Sequence, residues 1–276
     1  MTRLNEAAPD RAAPAPLAAG SSLRTWFTKP TSKSLVMNAG ILAVLCLWLS
    51  FATTQFTSLE NLSNVIRQVS FVGIAACVVT PVMVAGGLDL SIGSIVAVAG
   101  VTAAKFVADA RWPLPISFVI GVVAGGVVGA LNAFLIVGMR INPVITTLGT
   151  MFIGRGLANV VASGSPVTGV LSGLAAGIAG ILINSRVATG DPTSGTGFEF
   201  AVIVAVVLGG TAISGGQGTI IGSIVGVLIV GVLDNGLNLM GVSTFYQNIV
   251  EGVVLIFAVG VDEVFRRTWR SILRRQ

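Results

Sequence analysis

Asp89 stands in VAGGLDLSIGS (84–94), between uncharged runs at 68–88 and 90–104, with Gly86, Gly87 and Ser91 beside it. A lone carboxylate in such a setting either caps a helix, because its oxygens accept from free backbone N–H groups, or lines a water-accessible path for an ion or hydrophilic solute. A second stretch, GGTAISGGQG (209–218), interrupts the uncharged residues 200–233, and there Gly209, Gly210, Thr211 and Ser214 supply small polar groups without an acid. Asp234 and Glu251 are acids near or within apolar runs, each either lining a polar pathway or capping a helix at an interface. Arg155 faces the cytoplasm, the interior or a partner, and helical geometry alone does not choose among them.

The chemistry that is missing narrows the field. The chain has no His, so it lacks an imidazole ligand or base. Cys46 and Cys77 lie in apolar runs without a CxxC spacing and read as packing residues. There is no G-x-x-x-x-G-K-[ST] loop to cradle ATP, and no Ser or Cys nucleophile with a base partner. An enzyme, a metal site and a bound cofactor are therefore not expected in this chain.

The elements that must hold these residues follow from composition. Of 276 residues 54% are hydrophobic and only 10% charged, where soluble domains carry about 25%. Uncharged runs of this length read as membrane-spanning helices, so the fold expected is an all-α polytopic bundle. A basic tail at 1–33 precedes a transmembrane domain at 34–261, and a second basic tail closes the chain at 262–276. Spans are expected at 34–56, 68–88, 112–139, about 144–163 and 242–261, with a short surface helix at 57–67 and an extramembrane loop at 186–199. Residues 90–104 are short for a crossing, and Phe200–Leu208 reads as a half-helix that enters the membrane and stops.

Ten of the 16 Lys and Arg residues lie in the two tails, so the net charge of +5 reports orientation rather than nucleic-acid binding. Both termini should be cytoplasmic and the number of crossings even, eight if every short segment crosses and six if some re-enter. Gly121, Gly125 and Gly129 form a tandem GxxxG in 112–139, a pattern that lets helix backbones approach, within one chain or across a dimer.

An internal repeat is also visible. IGSIV occurs at 92–96 and again at 221–225, preceded by VMVAGG (82–87) and AVVLGG (205–210). Paired repeats with helices broken in matching positions are a habit of membrane transporters.

Three stretches carry a specific resemblance. VMVAGGLDLSIGSIVAVAG (82–100), NPVITTLGTMFIGRGLA (142–158) and residues 192–242, which include LGGTAISGGQG and NGLNLMGV, are similar to the permease subunits of ribose-type monosaccharide ABC importers. Asn142 departs locally from the family pattern. The resemblance implies a bacterial inner-membrane protein that pairs as a homodimer in the lipid bilayer. It also implies two partners: a separate ATPase subunit that binds the ATP, and an extracytoplasmic sugar-binding protein. After SPVTGV (165–170) the chain runs straight into a piece resembling a later span, so an internal block near residue 170, including the family's ATPase-coupling loop, is missing. The alternatives to an importer subunit are a coupling-defective remnant of one, and an ion-coupled secondary transporter using Asp89, Asp234 or Glu251.

Overall fold

The computed structural model describes residues 32–164, 167–168, 189–190, 193, 195–254 and 256. The expectations for the two basic tails and for the residues just after position 170 lie outside the described residues. Apart from one pair of two-residue strands, the regular structure among those residues is helical.

Helix α1 (Ser32–Ala52) is apolar from Leu35 onward except at Asn38 and Ser50. Helix α2 (Leu59–Val84) is capped by Ser58, whose side chain accepts from Asn61 N–H, and runs unbroken from residue 59 through the rest of the polar stretch at 57–67. The separate surface helix expected there is thus the first part of a 26-residue span. The reason is Asn61, which is buried and paired with Asn235 rather than facing headgroups.

Helix α3 (Ile92–Ala108) has 17 residues and ends in an ion pair one turn apart, Lys105 Nζ to Asp109 Oδ2 at 2.7 Å. Helix α4 (Leu114–Ala133) starts just after Pro113 and widens into a π-helical turn at Phe134–Gly138. Asn142 then caps α5 (Pro143–Val161), its Oδ1 accepting from Val144 N–H at 2.9 Å, with Pro143 at the first helical position. The family departure at Asn142 is therefore a competent helix start.

Strands β1 (Val167–Thr168) and β2 (Thr189–Gly190) pair antiparallel, Val167 opposite Gly190, and pack on α3. Helix α6 (Phe198–Leu208) follows a left-handed glycine, Gly197, and α7 (Ile220–Leu239) is capped by Thr219, whose side chain accepts from Gly222 N–H. Residues 244–254 are again helical and carry Glu251.

Two groups of helices result. One core joins α3, α4 and α5 around Ala97, Val101, Ala104 and Ala158. The other joins α2, α6 and α7 around Ala76, Met83, Val204 and Val230, and α1 packs on it through Leu49. Five helices, α1, α2, α4 with its π turn, α5 and α7, are long and apolar enough to cross a membrane among the described residues. The all-α polytopic bundle with broken helices is the fold observed.

Helix α6 is not one of the five. Its 11 residues extend about 16 Å, half the reach of α7, against which it packs antiparallel. Gly209 lies on Gly222 and Ala205 on Gly226, so the C-terminal end of α6 is level with the start of α7. Asn38 near the start of α1 donates to Leu208 O at that same level. The glycine break that ends the half-helix therefore lies beside the starts of α1 and α7. Within the loop expected at 186–199, Glu199 is only 4% exposed and Gly195 packs against Gly93.

Candidate functional site

The site is built from the two breaks, and their likeness reaches down to single hydrogen bonds. At the end of α2, Gly86 N–H donates to Met83 O and Gly87 N–H to Val82 O, both at 2.9 Å, with Gly86 at φ +84°. At the end of α6, Gly210 N–H donates to Val207 O and Thr211 N–H to Val206 O, with Gly210 at φ +91°. Both are the same glycine-terminated helix end, in which a left-handed residue lets the last carbonyls be satisfied. Both breaks then feed IGSIV at a helix start, where Ser94 and Ser223 are fully buried. The glycine pairs themselves do not superpose. Gly86 is the counterpart of Gly210, so the two copies match one residue away from the register in which GlyGly faces GlyGly.

The breaks also touch. Gly216 N–H donates to Val84 O at 2.8 Å. A methyl group placed on Gly215 would sit 2.9 Å from the Cα and N of Gly86. Behind this contact the hydroxyls of Thr80, Ser223 and Thr211 gather. Thr80 Oγ1 donates to Ala76 O at 2.6 Å or Ser223 Oγ at 2.8 Å, and Thr211 Oγ1 lies 3.5 Å from Ser223 Oγ. All three side chains are buried, which places a polar seam between α2, α7 and the second break.

Around the first break the polar groups come from α4 and α5. Asp89 Oδ1 accepts from both Ser91 N–H (2.8 Å) and Ser91 Oγ (2.6 Å). Asn132 Nδ2 donates to Ser91 Oγ at 2.8 Å, and Thr147 Oγ1 reaches Leu88 O at 3.2 Å. Asp89 thus braces the extended segment ahead of α3. Ser91 occupies the capping position of α3 but makes no capping bond, because its hydroxyl is engaged by Asp89 and Asn132. Asp89 thus bonds the backbone N–H one residue ahead of α3 rather than an N–H of the helix itself.

The remaining sequence candidates divide. Gly209 and Thr211 are buried at the second break and Gly87 is half-buried at the first, whereas Ser214 is exposed at the tip of the loop. Gly121 lies against Ala99 O and Ala103, and Gly125 against Ile95 and Ala99, so both serve the packing of α4 on α3 within the chain. Gly129 faces open space and takes no part in it. Asp234 accepts from Gln68 Nε2 at 3.4 Å, and the next residue, Asn235, forms a reciprocal amide pair with Asn61, each donating to the other at 3.0 and 2.7 Å. These groups lie on α2 and α7, away from the breaks. No cluster of three or more His, Cys, Asp or Glu able to hold a metal occurs among the described residues.

Sequence reasoning did not bring Arg155 and Glu199 together. Arg155 Nη2 lies 3.6 Å from Glu199 Oε2 and donates to Gly195 O at 2.7 Å. Arg155 stands about 9 Å along the axis from the end of α5, well inside a span. An ionised side chain within a helix long and apolar enough to cross a membrane is costly alone, and this one is paired. The signal available was Glu199 placed just before a half-helix too short to cross.

Comparison with known proteins adds the following. The family model described as the permease component of the branched-chain amino acid transport system matches residues 61–168 and 165–259. The ribose import permease protein of Bacillus subtilis is 32% identical, with 80% of this chain and 90% of that protein covered. The L-arabinose ABC transporter permease of Azospirillum brasilense is 30% identical over 96% of this chain and 98% of its own length. The D-allose transport system permease protein of Escherichia coli is 26% identical, with 79% and 88% covered. The B. subtilis alignment runs over 291 positions while covering 80% of a 276-residue chain, so tens of positions of the relative face no residue here. No solved structure matches.

Proposed function

The chain belongs to the family of permease components of the branched-chain amino acid transport system, and from that premise we propose that it is the membrane subunit of an ABC importer for a ribose-like monosaccharide. The observation that carries this reading is the pair of matching, mutually touching breaks lined by hydroxyl groups, in a chain whose similar relatives are named for ribose, arabinose and allose. A sugar offers hydroxyls that exchange hydrogen bonds with Thr, Ser and Asn side chains as readily as with water. Thr211 and Ser91, with Asp89 behind it, are the groups we place along the path, and Gly86, Gly87, Gly209 and Gly210 let the backbone turn there. ATP is consumed by a separate ATPase, an extracytoplasmic protein delivers the sugar, and a second copy of the chain completes the membrane unit.

Orientation follows in the same proposal. The breaks lie at the end of the bundle where α1 begins. With both termini cytoplasmic, as the basic tails require, the breaks lie on the cytoplasmic side of the inner membrane. Proteoliposomes holding this chain, its ATPase and its binding protein are the test. ATP-dependent uptake of radiolabelled ribose, arabinose or allose is expected; uptake of none of them would overturn the sugar-importer reading.

A second reading rests on a specific observation. The two matched stretches of the family model meet at residues 165–168, and the alignment with the B. subtilis relative is longer than the part of this chain that it covers. If the coupling loop is what is missing, the subunit inserts and pairs but does not grip the ATPase. Co-expressed ATPase should then copurify weakly, and stoichiometric copurification with ATP-driven uptake would refute this remnant reading.

A further inference from the structure

We propose that Asn132 and Thr146 form a hydroxyl-binding pair at the first break, with sugar hydroxyls donating to Asn132 Oδ1 and accepting from Thr146 Oγ1. The proposal rests on the sugar-importer reading and names two groups that touch the solute.

Asn132 is only 6% exposed, on the face of α4 that packs against α3. Ser91 has one hydroxyl proton, and it goes to Asp89 Oδ1 at 2.6 Å. Ser91 Oγ therefore accepts from Asn132, which turns the amide with Nδ2 toward Ser91, at 2.8 Å, and Oδ1 away from it. That oxygen is enclosed and has no hydrogen-bond partner among the described residues.

Thr146, on α5, is 5% exposed. A threonine inside a helix commonly turns its hydroxyl back to a carbonyl one turn earlier. Thr147 does so to Pro143 O at 2.9 Å, and Thr150 to Thr146 O at 3.1 Å. Thr146 does not: Asn142 O accepts its backbone N–H, while Oγ1 has no partner among the described residues.

The two groups flank one short segment. Asn132 is bonded to Ser91, and Thr147, the neighbour of Thr146, donates to Leu88 O at 3.2 Å. Exposure falls along this segment, from Gly86 (exposed) through residues 87–90 (half-buried) to Ser91 (buried), which puts the pair at the inner end of the break. A buried polar group left unpaired is costly, so each calls for a partner. The chemistry of that partner follows from the atoms. An amide oxygen only accepts, and a threonine hydroxyl donates and accepts. Hydroxyl groups satisfy both. The carboxylate of an amino acid cannot donate to Asn132 and meets the charge of Asp89 beside it. The pair therefore suits a neutral polyol.

Saturation-transfer-difference NMR on the full chain in nanodiscs, with D-ribose as the probe, tests this. The unaltered chain should give a saturable ribose signal and none with L-leucine. Thr146→Val keeps the side-chain shape and should raise the apparent Kd for ribose about threefold to tenfold, the scale of one lost hydrogen bond. Its thermal unfolding midpoint should not fall, because the hydroxyl bonds nothing in the chain. Thr150→Val loses a bond to its own helix alone and should bind ribose as the unaltered chain does. No ribose signal from the unaltered chain would leave the two atoms to water and overturn the proposal. Equal binding by Thr146→Val, weaker binding accompanied by a lower midpoint, or a saturable leucine signal would overturn it too. The uptake assay decides the importer reading separately, so ATP-dependent uptake together with unchanged binding by Thr146→Val would overturn this pair alone.

Discussion

Gly215 and Gly216 are neighbours with nearly the same backbone angle, φ +79° and +84°, and very different surroundings. A methyl group on Gly215 meets the backbone of Gly86, whereas one on Gly216 meets open space. Gly216→Ala should lose only the left-handed cost, roughly 1–2 kcal/mol. Gly215→Ala should lose clearly more and part the two breaks, seen as the larger drop in the thermal unfolding midpoint of the detergent-solubilised chain. The Asn61 and Asn235 amides make a second test. Either one changed to Leu leaves its partner with unmet hydrogen-bonding groups and should cost about 1–2 kcal/mol, while the double change should cost less than the two singles together. A double-mutant cycle on thermal stability measures that coupling. At this scale the sequence made Asp89 and the glycines visible because each is rare in its setting. It did not show Thr80, Ser223 or Asn132, because a hydroxyl or amide on an otherwise apolar helix acquires a role only from what packs opposite.

Helix α4 shows how an element-level pattern divides once packing is known. Gly121 and Gly125 of the GxxxG series press on α3, and Gly129 does not. Gly121→Ile should therefore unfold the α3–α4 contact and lower detergent-solubilised yield sharply, while Gly129→Ile should be tolerated, with the monodisperse peak on size exclusion as the readout. The helical spans were legible from uncharged length alone. The packing of α6 was not, because eleven apolar residues say that a helix cannot cross without saying that it lies antiparallel on α7. The repeat was legible in IGSIV, but its register was not. Helix termination is decided by which glycine takes a positive φ, and composition carries no such angle.

Across the whole molecule, the positive tails set an expectation that reporters can check. Fusions at either end should both report a cytoplasmic location, and an external location for one end alone would refute an even number of crossings. The family and the helical architecture could be read from motifs and hydropathy. The contact between the two helix groups could not, because it depends on Arg155 meeting Glu199 across a long stretch of chain. The short strand pair between those residues has its own consequence. Val167 and Thr168 pair with Gly190 and Thr189, so the chain leaves α5 and returns toward α6 through a single gate resting on α3. In polymer terms, whatever lies between the strands is a closed loop tied at its base. Doubling or halving such a loop changes its closure entropy by only about 0.6 kcal/mol. A block missing near residue 170, as the sequence leads one to expect, would fall within that loop, where a change of length least disturbs the register of the helices on either side.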